Sequence, residues 1–188
     1  MIVELGVEHT PSPWVWLANK LGVKIRWSHA FLRHDYSGEY KIIEAVWQGV
    51  VERPWRPESY HSYAMYRLKE EEFYSELDKE RVYAWMISFA KGQMGKRYAF
   101  EALPIILRRL LTPALNFFWA GPIRIAFMEF VIGTGEVCTS LVDKTFLWAG
   151  IDLLPAATSP FVLPDELMRS EKLELVELRE GKYRLCLL

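Results

Sequence analysis

The chain has 188 residues, 23 basic and 24 acidic side chains for a formal net charge of −1, and 51% hydrophobic residues, with 14% aromatic. The lack of a basic excess excludes a nucleic-acid binder that works by neutralising phosphates, and the apolar richness excludes a disordered chain. A single domain of this length buries about 70% of its unfolded-chain surface, so one domain spanning residues 1–188 is expected.

Met1–Val7 reads as a first strand. The opening run Met1–His9 carries acidic residues and no basic segment before a long apolar core, which is not the pattern of a secretory leader; a cytoplasmic protein is the expectation. Pro11 and Pro13 punctuate the chain before Trp14–Leu21, a short helix ended by Gly22. Val23–Leu32 reads as a strand containing His29. Asp35-Tyr36-Ser37-Gly38 is a turn signal, and Tyr40–Trp47 is the strand that returns from it, so the two runs make a hairpin. Gly49–Glu52 can pair beyond.

Pro54 and Pro57 mark a loop, and Ser62–Leu68 is another strand. Lys69–Lys79 is highly charged and reads as a solvated loop or helix start. Glu80–Gln93 has helical spacing, with Val82, Met86, Phe89 and Ala90 near one face and Gly95 past its end. Leu103–Leu111 and Leu115–Phe130 are apolar, interrupted by proline and helical in character. The longest uncharged stretch, Leu110–Ile123, contains Pro113 and Pro122 and falls short of the roughly 20 residues that span a bilayer; an interfacial or capping segment is compatible with it. Cys138–Ala149 is a helix closed by Gly150, with Leu141, Val142, Thr145, Phe146 and Ala149 towards the core. Leu173–Leu178 and Tyr183–Leu187 read as closing strands. The fold class is α+β, with strands first and helices grouped later.

Two widely spaced cysteines, Cys138 and Cys186, make a weak case for a disulfide framework, and no CxxC or Cys/His cluster points to structural zinc. Cys138 is the residue with chemical promise. A thiol at a helix N-terminus feels the positive end of the backbone dipole, which favours the thiolate. A thiol nucleophile also needs an imidazole to accept its proton and a third group to fix that imidazole. His29 lies on a strand beside apolar residues, and Glu44 lies on the strand across the hairpin. With the turn centred near residues 36 and 37, the two fall close to cross-strand register, where facing β-carbons lie about 5 Å apart.

The bland alternatives are that Cys138 is a small buried hydrophobe, His29 a structural residue and Glu44 a solvent-face residue of a half-buried strand. His34 is a competing base, but it stands next to the turn, where solvent is expected. His9 and His61 lie in or near loops and are expected at the surface.

Five segments, in this order, resemble the permuted NlpC/P60 papain-like proteins, the YiiX-like and YaeF-like cysteine amidases and peptidases. They are Trp27-Ser28-His29-Ala30, the strand Ile43-Glu44-Ala45, the run Gly95-Lys96-Arg97-Tyr98-Ala99-Phe100, the helix start Cys138-Thr139-Ser140-Leu141-Val142, and the tail Ala149-Gly150-Ile151-Asp152 with Leu163-Pro164-Asp165-Glu166-Leu167. The likeness spans roughly residues 1–178. The chain departs from the pattern where Cys-Thr-Ser replaces Cys-Ser-Glu and where Ala99 replaces an aspartate.

The resemblance implies a circularly permuted papain-like fold, an antiparallel sheet or partial barrel packed against helices, with a long apolar helical insertion at about 101–134. It implies Cys138 as nucleophile, His29 as base and Glu44 as its orienting acid, with Tyr98 as a weaker candidate for substrate contact, and no cofactor or metal. The implied partner is a peptide or acyl substrate, an amide in a cell-wall peptide being the first expectation. Similarity to the lecithin–retinol acyltransferase type makes lipid acyl transfer the alternative, with residues 103–130 as a lid, an apolar wall or a peripheral membrane contact. A non-catalytic binding module that keeps the fold is the third reading.

Overall fold

The computed structural model describes residues 1–9, 26–35, 38–98, 138–154 and 162–181. The expected helix Trp14–Leu21, the apolar segment 101–134 and the strand Tyr183–Leu187 lie outside the described residues.

Six strands, β1 (Ile2–His9), β2 (His29–Asp35), β3 (Tyr40–Val46), β4 (Gly49–Pro54), β5 (Ser62–Leu68) and β6 (Leu173–Arg179), form one sheet in the order β4-β3-β2-β1-β5-β6. Every pairing in it is antiparallel. The architecture is α+β, an open sheet with helices on one face. Alternation decides which side chains the helices cover. Val3, Leu5 and Val7 of β1, Ala30 and Leu32 of β2 and Ile43 and Ala45 of β3 belong to the main core. Phe31 and Ile42 point the other way, into a smaller cluster with Tyr60, Tyr63 and Met65 that Trp55 covers. Both faces of these central strands therefore carry buried apolar residues.

Three α-helices are described: α1 (Glu76–Gly92), α2 (Cys138–Trp148) and the single turn α3 (Pro164–Leu167). Ser75 caps α1, its hydroxyl accepting from the Asp78 N–H at 3.1 Å; this sets the start four residues earlier than the apolar spacing alone indicates. Val82, Tyr83, Met86, Ile87 and Ala90 form its buried side. On α2 the expected core positions Leu141, Val142, Thr145 and Phe146 are all buried. Gly150, at φ +84°, ends it: Gly150 N–H bonds Leu147 O at 2.9 Å and Ile151 N–H bonds Phe146 O at 2.9 Å, the paired contacts of a left-handed helix stop. Among the described residues, no helix is long and apolar enough to cross a membrane.

Two expectations about β2 need correction. The strand begins at His29, not Val23; Arg26, Trp27 and Ser28 lie outside it. Their amides are used elsewhere. Asp165 of α3 accepts from Trp27 N–H at 3.2 Å and Arg26 N–H at 3.4 Å, and Ser28 N–H bonds the Glu8 carbonyl at 2.9 Å. The second correction is the hairpin register. Leu32 pairs with Ile43 and Arg33 with Ile42, a displacement of two residues from the expected alignment. His29 and Glu44 are therefore diagonal neighbours. Because side chains alternate with period two, a shift of two leaves both on the same face, whereas a shift of one would have separated them.

Candidate active site

The site forms where the first residue of β2 meets the first residue of α2. His29 opens β2, with its side chain 15% exposed, and Glu44, in the middle of β3, is 1% exposed. Their side chains meet at 2.8 Å between His29 Nε2 and Glu44 Oε2. That leaves Nδ1 as the ring nitrogen able to serve the thiol. Cys138 is buried at the start of α2. Its sulfur hydrogen-bonds the His29 imidazole and accepts from the backbone N–H groups of Ala30 and Thr139.

Electrostatics follow from this arrangement. Burial works against charge on the Cys138 sulfur, yet the adjacent imidazolium, its hydrogen bond and the two N–H donors outweigh it and hold the thiol below its ordinary value. Burial likewise opposes a proton on His29; the charge of the Cys138 thiolate, the hydrogen bond to it and the bond to Glu44 overcome that and raise the imidazole to about 10. For Glu44, burial pushes upward, and the hydrogen bond and charge of His29 together with the charge of Arg53 bring the carboxyl below the usual carboxylate range. Each shift thus favours the charged form, the thiol towards thiolate, the imidazole towards imidazolium and the carboxyl towards carboxylate.

Tyr98 reaches the same place by a different route. The residues before it dock on the start of β4, with Val50 N–H to Lys96 O at 2.9 Å and Gly95 N–H to Val50 O at 3.0 Å. Gly49, at φ +117°, permits this: a side chain there would collide with the Lys96 carbonyl. Tyr98 then packs on the main core, and its phenol is pushed up, first by burial and then by the Cys138 charge.

The other histidines are elsewhere. His34, expected at a solvated position, is buried at 2% exposure. It stands on the helix-facing side of β2 and bonds Glu52 at 3.0 Å through Nε2; Glu52 also pairs with Lys91 of α1 at 3.2 Å. The turn that was expected to expose it comes one residue after the strand's covered stretch. His61 is exposed, and His9 is half-buried, its Nδ1 bonding the Arg26 carbonyl at 2.7 Å.

Sequence reasoning missed three residues around the site. Glu8 lies directly across from His29 in the β1–β2 ladder, and its charge also favours the imidazolium. Asp165 pins the segment that delivers His29. Arg53 of β4 pairs with Glu44 Oε1. Arg53 carried a readable signal, since it follows Val51 at strand spacing and so lies on the Glu44 side. Glu8 needed the β1–β2 register, and Asp165 had no local signal.

Among the described residues, no group of three or more His, Cys, Asp and Glu is placed to hold a metal ion.

No protein-family model and no curated protein matches the chain. Among solved structures, it is similar to the metalloprotein yiiX from Escherichia coli O157:H7, a DUF1105 protein. The TM-score is 0.60 at 15% identity, over 96% of this chain and 98% of that one. At that identity the likeness establishes the fold, which is YiiX-like.

Proposed function

We propose that the protein is a cysteine hydrolase of the permuted papain-like kind, an amidase or peptidase working through a thioester acyl-enzyme. The observation that carries this reading is the His29 imidazole held between the Glu44 carboxylate at 2.8 Å and the Cys138 sulfur. Chain order runs His, Glu, Cys, the reverse of ordinary papain-like enzymes, and triads are defined by geometry and role, not by order.

In the reaction, the Cys138 thiolate attacks the substrate carbonyl carbon. The carbonyl π pair moves to oxygen, where backbone N–H groups at the start of α2 can stabilise it. Collapse breaks the C–N bond, and the imidazolium gives its proton to the leaving amine. A water then loses a proton to neutral His29 and attacks the thioester, releasing the acid and restoring the thiolate. Glu44 keeps the ring oriented and its charge compensated throughout, and Tyr98, whose phenol feels the Cys138 charge, is the candidate for substrate contact.

A second reading shares this chemistry but takes a lipid acyl chain. It is favoured by the exposed aromatic surface on α1 and α2, where Phe89 stacks on Trp148 at 5.2 Å and Trp85 and Leu147 are exposed. Co-sedimentation with lipid vesicles separates the two, because an amidase with a soluble peptide substrate has no need to bind them. The test of the shared chemistry is thiol alkylation against pH, with hydrolysis of peptide and acyl substrates, in wild type and Cys138→Ala. An ordinary thiol titration and turnover that survives Cys138→Ala would sink the proposal.

A further inference from the structure

The face of the sheet that carries Glu44 holds a polar chain that runs beyond the three residues already described. Glu44 and Ile42 share that face of β3, and Arg53 pairs with Ile42 in the β3–β4 ladder, so the guanidinium and the carboxylate are diagonal neighbours, just as Glu44 and His29 are one strand further in. Arg53 Nε pairs with Glu44 Oε1 while Glu44 Oε2 is engaged by His29. Arg53 Nη2 in turn donates to the Tyr60 hydroxyl at 3.0 Å. Tyr60 is fixed in the second core, stacked on Trp55 at 4.8 Å and on Phe31 at 5.7 Å.

From these contacts we infer that Arg53 is a positioning residue for the site: anchored by Tyr60, it holds one oxygen of Glu44 so that the other is aimed at His29. This rests on the reading of His29 as the base, but its own claim concerns only the His29–Glu44–Arg53 relay.

The physical argument is one of competing signs. A buried carboxylate with a single partner can turn away from it or take up a proton. A guanidinium ion-paired with the second oxygen removes both options, and its planar fork sets one nitrogen against Glu44 and donates to Tyr60 from another, which an ammonium cannot reproduce. As a bare charge, however, Arg53 repels the imidazolium. If charge were its whole effect, removing it would make His29 more basic. If it positions Glu44, removing it makes His29 less basic. The other charged groups facing this relay are Glu8 from β1 and Cys138 from α2, and the first is unchanged in every variant below.

The experiment is an NMR titration of the His29 imidazole in the full chain carrying Cys138→Ala, which removes the thiol from the balance. Adding Arg53→Met is expected to lower the His29 midpoint by about one pH unit. Arg53→Lys, which keeps the charge but not the fork, is expected to leave most of that fall in place. Tyr60→Phe, which removes only the anchor, is expected to give a smaller fall in the same direction and serves if the Met variant does not fold. An unchanged or raised midpoint in Arg53→Met, or full recovery with Lys, overturns the inference. Hydrolysis that persists in Cys138→Ala would defeat the proposed function instead, and the His29 midpoints would still decide the role of Arg53.

Discussion

Replacing Glu44 by Gln tests the charge arrangement at its least replaceable point. The carboxylate is 1% exposed and lies 2.8 Å from His29 Nε2, so solvent does little to screen the contact. Gln keeps the shape and an acceptor oxygen but removes the charge. An opposite charge at this range moves an imidazole by about 1–3 pH units, and each is about 1.4 kcal/mol. The balance between the thiolate–imidazolium pair and the neutral thiol–imidazole pair should therefore shift by about 10- to 1000-fold towards the neutral pair. The assay is thiolate absorbance in the ultraviolet together with the rate of Cys138 alkylation at pH 7, both expected to fall and to recover only as pH approaches the ordinary thiol range. Glu44→Ala loses the acceptor as well, so any further fall in turnover from Gln to Ala measures orientation alone. A folded Glu44→Gln protein with wild-type thiolate absorbance and alkylation at pH 7 would refute the reasoning.

Three further outcomes are expected. Burial, outweighing the bond to Glu52, holds the His34 imidazole below its ordinary 6.5, so the unfolded chain binds a proton that the folded chain resists and stability is lost as pH falls below that value; His34→Leu should flatten this part of the melting-temperature profile, and an unaltered pH dependence would count against it. Asp165→Ala frees the two amides of Trp27 and Arg26, costing about 1–3 kcal/mol in urea unfolding and slowing Cys138 alkylation because the segment leading into His29 loosens; a loss of stability with alkylation unchanged would place Asp165 outside the site. Gly49→Ala puts a side chain at φ +117° against the Lys96 carbonyl, so it should destabilise by more than about 1 kcal/mol, which urea denaturation would contradict if the variant were neutral.

What the sequence disclosed about the fold followed from patterns with a fixed period. Ser62–Leu68 is a strand over the expected residues, and Cys138 opens a helix whose apolar face and glycine stop lie where the spacing puts them. Boundaries failed where something distant satisfied the backbone. Val23–Leu32 carries a strand-like composition, yet Trp27 and Arg26 give their amides to a carboxylate 138 and 139 residues away, and no local pattern encodes that. His34 was misjudged for a related reason. Proximity to a turn says nothing about a helix laid across the strand from elsewhere in the chain, and α1 brings Lys91 to the Glu52 that His34 bonds.

The pairing of His29 with Glu44 was legible for a reason stronger than the register estimate behind it. That estimate was two residues off, yet it led to the same face, because strand parity survives any even displacement. Parity also decides what else can join the site. On this sheet, the residues that reach Glu44 without crossing the backbone are those on the face of Phe31 and Ile42, and β4 offers them as Val51 and Arg53. Of the two, only Arg53 can pair with a carboxylate, and it does. Cys138 is the exception that the ladder does not generate: it comes from a helix far along the chain, and its contacts with the Ala30 amide and the His29 ring bring it to β2. The ladder thus supplies the proposed base and its support, while the position of the proposed nucleophile depends on where one helix begins. A displacement of that helix start by one residue would turn Cys138 by about 100° around the helix axis and take the sulfur away from His29, with the His29–Glu44–Arg53 relay left in place.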